Sequence, residues 1–410
     1  MLLDLRTTLA TVAMTALLAL PAAAQTVDVL HYWTSGSESA AMRVFADAYK
    51  AKGGTWVDSA VGGFDDARAS ALNRIAGGNP PSVLLDNVGE VAAFANQGIL
   101  SPVDPAIAAQ LAPHLPALLV KRITVDGKLY AIPVDIGGGN WMWYSTKAFK
   151  DIGAQPPKTW DAFFAVADKL KAKGYVPLAF GGQPWQEASL FYNVMLAQGH
   201  GFYNQVMTNH DVKVAGGPAM LKTFETFRKL TAYVDQGSEG REWNDATAMI
   251  INNKAAIQIM GDWAKGEFLR AGKVPGKDFG CDLAPGTQNS YQMVVDLFDF
   301  PKVSKADGKA GQTLFESVVA DPTVQAQFGI VKGSLPARND VDIAKADMCM
   351  QLGEKTLQNP NSPVPNFEIA LTADQEGQVK DLVSQFWTTP AMTAADATKQ
   401  FASIIAQSND

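Results

Sequence analysis

The sequence predicts an α/β protein whose sheets are covered by helices on both faces. Two observations predict it. Short strand-like runs alternate with helix-period segments along nearly the whole chain, the pattern of helices laid on sheets. Polar or aromatic residues also recur just past strand-like runs, at Trp33, Asn87, Trp185 and Trp263, where open α/β sheets place their ligands. Positions so scattered point to one shared cleft, although turns after strands are polar in any protein.

The first strand lies around Val27 and Val29 and runs into Tyr32 and Trp33. Ser35-Gly36-Ser37-Glu38 follows and fits a capping box, in which Glu38 reaches back to the Ser35 N–H. The helix over 37–52 then carries Ala41, Met42, Phe45 and Ala48 at helical spacing. PPSVLLDN gives a buried strand over 83–85 that ends at Asp86 and Asn87, and 91–97 reads as a helix stopped by Gly98. Asp126 and Gly127 carry turn chemistry ahead of strand alternation through Ile132. Three glycines from Gly137 predict a break. Thr159 reads as an N-cap whose helix puts Phe163, Val166, Ala167 and Leu170 on one face and stops at Gly174. YVPLAFGGQPW predicts a strand into a Gly/Pro turn bearing Trp185, and 220–230 is helical. AAIQIMGDW predicts a strand into a turn bearing Trp263, and YQMVVDLF one strand that contains Asp296.

Residues 1–24 carry Arg6, an apolar run over 9–20 and the small-residue ending LPAAAQ. This predicts a secretory signal peptide cleaved after about Ala24; the apolar run is short for a membrane span. No later stretch suggests membrane insertion, so the mature chain is expected to be exported, in the periplasm. At roughly 150 residues per domain it should form two or three domains. A net charge of −7 argues against nucleic acid or an anionic membrane surface as partner. The two cysteines, Cys281 and Cys349, are either one disulfide, which export favours, or two buried thiols.

Catalytic signatures are missing. There is no G-x-S-x-G, no H-E-x-x-H and no Cys-x-x-Cys, and Gly308-Lys309 is followed by Ala310 where a P-loop needs Ser or Thr. His31, His114, His200 and His210 show no helical pairing for a metal. No metal or cofactor is expected. A glycoside hydrolase stays open as the alternative, because its two carboxylates can come from anywhere in the chain; Glu38 and Asp296 are the pair to nominate.

The residues present suit a sugar. Flat aromatics cover the C–H faces of a pyranose, and planar polar groups meet its hydroxyl edges. Trp33, Trp185 and Trp263 are candidate platforms, with core tryptophans as the alternative. Glu38 can cap its helix, accept from sugar hydroxyls, or do both. Asp296 in an apolar strand needs a partner. Lys332, set in GIVKGSLPAR, can pair with it, or both can address ligand. Asn87 offers donor and acceptor, or is a turn residue.

The stretches LHYWTSGSE, GNPPSVLLDN, GGQPWQEA, GDWAKGEF and GIVKGSLPAR, in this order, resemble the extracellular solute-binding proteins of sugar ABC transporters. The resemblance is nearest to the glucose/mannose-binding periplasmic proteins and spans nearly the whole mature chain. It implies a two-lobed, maltose-binding-protein-like fold of type II with a multi-crossing hinge. Lobe 1 would comprise 25–134 and 296–335, and lobe 2 would comprise 135–295 and 336–410. It implies a monomer that closes on a small carbohydrate and delivers it to membrane permease subunits. It also implies a Cys281–Cys349 disulfide. Positions matching Trp33, Glu38, Trp263, Asp296 and Lys332 contact sugar in that group, and Tyr32 stands where a second tryptophan is usual. Asn87 replaces a lysine, and NSPVPNFEIA around Asn366 lacks the group's pocket histidine. These two departures predict a sugar other than glucose.

Overall fold

The computed structural model of the chain describes residues 25–304, 306–343 and 346–407. The expected signal peptide lies outside them. Among the described residues no helix is long and apolar enough to cross a membrane.

The first sheet orders its strands Thr55–Ala60, Thr26–His31, Val83–Asn87, Asp296–Asp299 and Ala131–Pro133. The first three run parallel, and the strand Asp296–Asp299 is antiparallel to both its neighbours. Helix Gly36–Ala51 covers this sheet together with Ala306–Val319 and Pro322–Lys332. Its core is aromatic: Phe45, Phe298, Phe315 and Phe328 contact one another in edge and tilted pairs.

A second sheet orders Phe279–Leu283, Trp141–Ser145, Ala255–Ile259 and Val176–Leu178. Beside it, helices Pro184–Leu196, Pro218–Leu230, Ala373–Thr388 and Ala394–Ala406 share a core of Phe191, Phe224, Phe227, Phe386 and Phe401. A third sheet, Leu335–Pro336, Asp135–Gly138, Tyr291–Val294 and Pro363–Pro365, is where the chain changes sheets. The chain leaves the first sheet at Val134 and returns to it at Val295, immediately before Asp296.

This corrects one expectation. YQMVVDLF is two strands in two sheets, so Asp296 opens a strand at a crossover and does not interrupt one. The glycine break falls later than expected: Gly137 and Gly138 lie inside the strand Asp135–Gly138, and the break comes at Gly139 and Asn140 before the strand Trp141–Ser145. The use of the strand glycines is close approach: a Cβ on Gly138 would sit 2.4 Å from the Trp141 indole nitrogen. Trp185 is also moved, from a turn to the first turn of helix Pro184–Leu196, where Pro184 starts the helix without needing an N–H partner. The Thr159 cap forms as expected and accepts from the Ala162 N–H at 3.2 Å. Cys281 and Cys349 are disulfide-bonded, tying the strand Phe279–Leu283 to helix Met348–Leu357.

Candidate ligand-binding site

The turn after the first strand is built as the sequence implies. Ser35 Oγ accepts from the Glu38 N–H at 3.3 Å, and Glu38 Oε2 accepts from the Ser35 N–H at 3.1 Å. One Glu38 oxygen is therefore spent on the cap. Burial pushes this carboxyl up, and Lys332 and the Ser35 contacts offset only part of that rise.

Asp296 is the centre of the arrangement. Tyr32 donates its hydroxyl to Oδ1 at 3.1 Å and Lys332 donates to Oδ2 at 3.2 Å. Asp135 Oδ1 accepts the Asp296 N–H at 3.1 Å. Burial works against the Lys332 ammonium, but Asp296, Asp135 and Glu38 outweigh it and hold its pKa above the ordinary lysine value. The Tyr32 hydroxyl is pushed well up by burial, then by Asp296, Glu368 and Asp86.

Trp33 is placed differently from an open platform. It is 1% exposed, its ring stacks on Phe328 at 5.5 Å, and the Lys332 ammonium lies 3.5 Å from its centre. In this conformation it serves the core and seats Lys332. Asn87 pairs in register with Asp296, and its side-chain oxygen accepts the Gly89 N–H at 3.0 Å, which is turn work; its amide nitrogen is left for other partners.

The opposite side supplies Trp263, Asp262 and the segment around Asn366. Trp263 is half-buried at the start of helix Ala264–Arg270, its ring lying over Gly261. Asp262 accepts from the Gly138 N–H at 2.9 Å and from Ser334 Oγ at 3.1 Å. Burial raises its pKa to about 7 against those bonds and the nearby lysines. Asn366 caps helix Phe367–Ala370 through Oδ1 and donates to Glu368 Oε2 at 2.8 Å. Trp185 lies on helix Pro184–Leu196 and donates to Gln183 at 2.9 Å; among the described residues no hydrogen bond joins it to the Asp296 cluster.

Two residues had no signal in the sequence reading. Glu368 faces Tyr32 and Asp296 closely enough to act on both electrostatically. Its backbone carbonyl meets Gly89, where an added Cβ would lie only 2.6 Å away. Glu267 Oε1 accepts both the Ser37 N–H at 2.8 Å and its hydroxyl at 2.7 Å. Each joins segments more than two hundred residues apart in the chain, which leaves no local pattern to find. Among the described residues no cluster fit to hold a metal ion occurs.

Residues 33–296 match the model of the family "Bacterial extracellular solute-binding protein". A probable sugar-binding periplasmic protein of Rhizobium meliloti is 41% identical, with 83% of each chain covered. An uncharacterized ABC transporter extracellular-binding protein of Pyrococcus horikoshii is 28% identical over 77% of this chain and 72% of its own. A solved chitin oligosaccharide binding protein superposes with a TM-score of 0.79 at 20% identity, covering 94% of this chain and 99% of its own, and so shares the fold. Fold, crossover and sequence agree: the chain belongs to the bacterial extracellular solute-binding proteins.

Proposed function

We propose that this protein is the periplasmic sugar receptor of an ABC importer, binding one small carbohydrate between two lobes and presenting it to the permease. The observation that carries the reading is the Tyr32–Asp296–Lys332 chain, set at the crossover between sheets. It gathers charged donors and acceptors, the kind that grip hydroxyls. Trp263 and Asn366 come from the other side, and Glu38 keeps one oxygen outside its cap. The sugar-binding and ABC-transporter names of the relatives support the same reading.

The lobes we propose are 25–134 with 296–335 and 135–295 with 336–410, and the sheet changes at Val134 and Val295 support those limits. The chain acts as an exported monomer. Its chemistry is binding alone. A hydrolase reading finds no support: the relatives are named as binding proteins, and Asp296 of the nominated pair is ion-paired with Lys332.

A thermal-shift screen of the mature chain against hexoses, pentoses, polyols and short oligosaccharides tests this. At least one sugar should raise the melting temperature in a concentration-dependent way. A flat response across the whole panel would remove the sugar reading.

A further inference from the structure

The charges around the cleft give its ligand a sign. Among the described residues Lys332 is the cation bonded to Asp296, and it is also engaged by the Trp33 ring. Against it stand Glu38, Asp135, Asp262, Asp296 and Glu368. Two further lysines act on these carboxylates, Lys265 on Asp262 and Lys380 on Glu368, but each is ion-paired with another acid. Lys265 binds Asp347 at 2.9 Å, and Lys380 binds Glu376 at 2.5 Å.

Among the described residues no cation lies within hydrogen-bond reach of the Glu368 carboxylate. Among the described residues only the neutral Asn366 amide donates to its carboxylate. Burial and then Glu376 push it up, and the Asn366 bond and Lys380 offset only part of that rise. Beside Gly89, where an added Cβ would lie 2.6 Å from the Glu368 carbonyl oxygen and 3.1 Å from the Asn87 side-chain oxygen, stands Asn87, an amide without charge. A second, independent sign lies deeper. Asp135 is 1% exposed, and its Oδ2 has no hydrogen-bond partner, beside Asp296, Lys332 and Asp262. Buried polar atoms in folded proteins are rarely left so.

A neutral sugar can donate hydroxyl protons to these oxygens. It cannot balance their charge. An ammonium does both, and a charge-assisted bond is the stronger kind. We propose that the cleft takes an amino sugar with a free ammonium group, the ammonium set against Glu368 and the hydroxyls against Glu38, Asp296 and Lys332. The proposal rests on the sugar-receptor reading above and narrows its ligand class.

The test is calorimetry on the mature chain at about pH 7, where a sugar amine is largely protonated. The probes are glucose, mannose and galactose, each with its 2-amino and its N-acetylamino derivative. In at least one series the free amine should bind about tenfold or more tighter than both neutral relatives. Glu368→Gln keeps an acceptor for Asn366 and should bring that ratio to about one. Asn87→Lys, which adds a cation beside Gly89, should lower it too and serves if the first variant does not fold. The proposal is overturned if the neutral hexose binds as tightly as its amine in every series, or if the preference survives both substitutions. Failure of every sugar, neutral and charged, would instead remove the sugar reading beneath it.

Discussion

Replacing Lys332 with methionine keeps most of the side-chain bulk and removes the ammonium. That ammonium sits 3.2 Å from Asp296 and 3.5 Å from the centre of the Trp33 ring, on a residue only 3% exposed. Losing one member of a buried pair costs about 3–5 kcal/mol, because the other charge stays buried. A desolvated cation–π contact adds up to about 2 kcal/mol. Tyr32 still donates to the abandoned carboxylate, and a methionine stem fills the space, so we expect a loss of about 3 kcal/mol. Asp296→Asn alone should cost a similar amount, since it strands the ammonium. The double variant replaces the pair by neutral groups of like shape and should be about 2 kcal/mol more stable than the two losses summed. Urea unfolding of the four proteins measures the cycle. Single losses under about 1 kcal/mol, or additivity within about 0.5 kcal/mol, would refute the view that the pair organises the site.

The other predictions concern the surroundings of that pair. Glu267→Gln weakens a charge-assisted contact at a helix N-terminus that spans the cleft, so ligand should leave about fivefold faster with little change in association; an unchanged dissociation rate would mark the contact as one kept in both open and closed states. Trp33→Ala should destabilise the fold by about 3–5 kcal/mol as a core deletion, whereas Trp263→Ala should leave the fold intact and weaken binding by about 1–3 kcal/mol; urea unfolding and calorimetry on each variant would expose the reverse pattern. Replacing Cys281 and Cys349 together with serine opens a loop with a sequence separation of 68, and should cost about 4 kcal/mol in urea unfolding; a loss under about 1 kcal/mol would contradict the chain-entropy estimate. Asp262 has its folded pKa raised by burial from 3.8 to about 7. Its contribution to stability is therefore full below about pH 4 and is lost as pH rises to about 7, on the order of 2–4 kcal/mol. Asp262→Asn should flatten that decline, and a decline of unchanged slope in the variant would exclude Asp262 as its source.

What could be read in the sequence was local. The Ser35–Glu38 capping box and the Thr159 cap are set by a few neighbouring residues, and both form. The disulfide follows from compartment and family resemblance together. Asp296 and Lys332 announced themselves as charges in apolar runs, and the structure pairs them. The misreadings came from tertiary context. YQMVVDLF has the composition of one strand, and only the sheet change at Val295 divides it. For Trp33 the sequence left platform and core both open, and only Phe328, far along the chain, stacking on its ring shows its core packing. Glu267 and Glu368 act on segments far away in the chain from ordinary helix positions, and no spacing or composition marks them.

The most direct test of the binding reading is a calorimetric titration of the mature chain with the best sugar of the screen, followed by analysis of the recovered ligand. The prediction is one saturable site per chain, loss of the binding heat in the Asp296→Asn variant, and sugar returned chemically unchanged. Binding that persists undiminished in Asp296→Asn, or sugar returned as cleavage products, would contradict it.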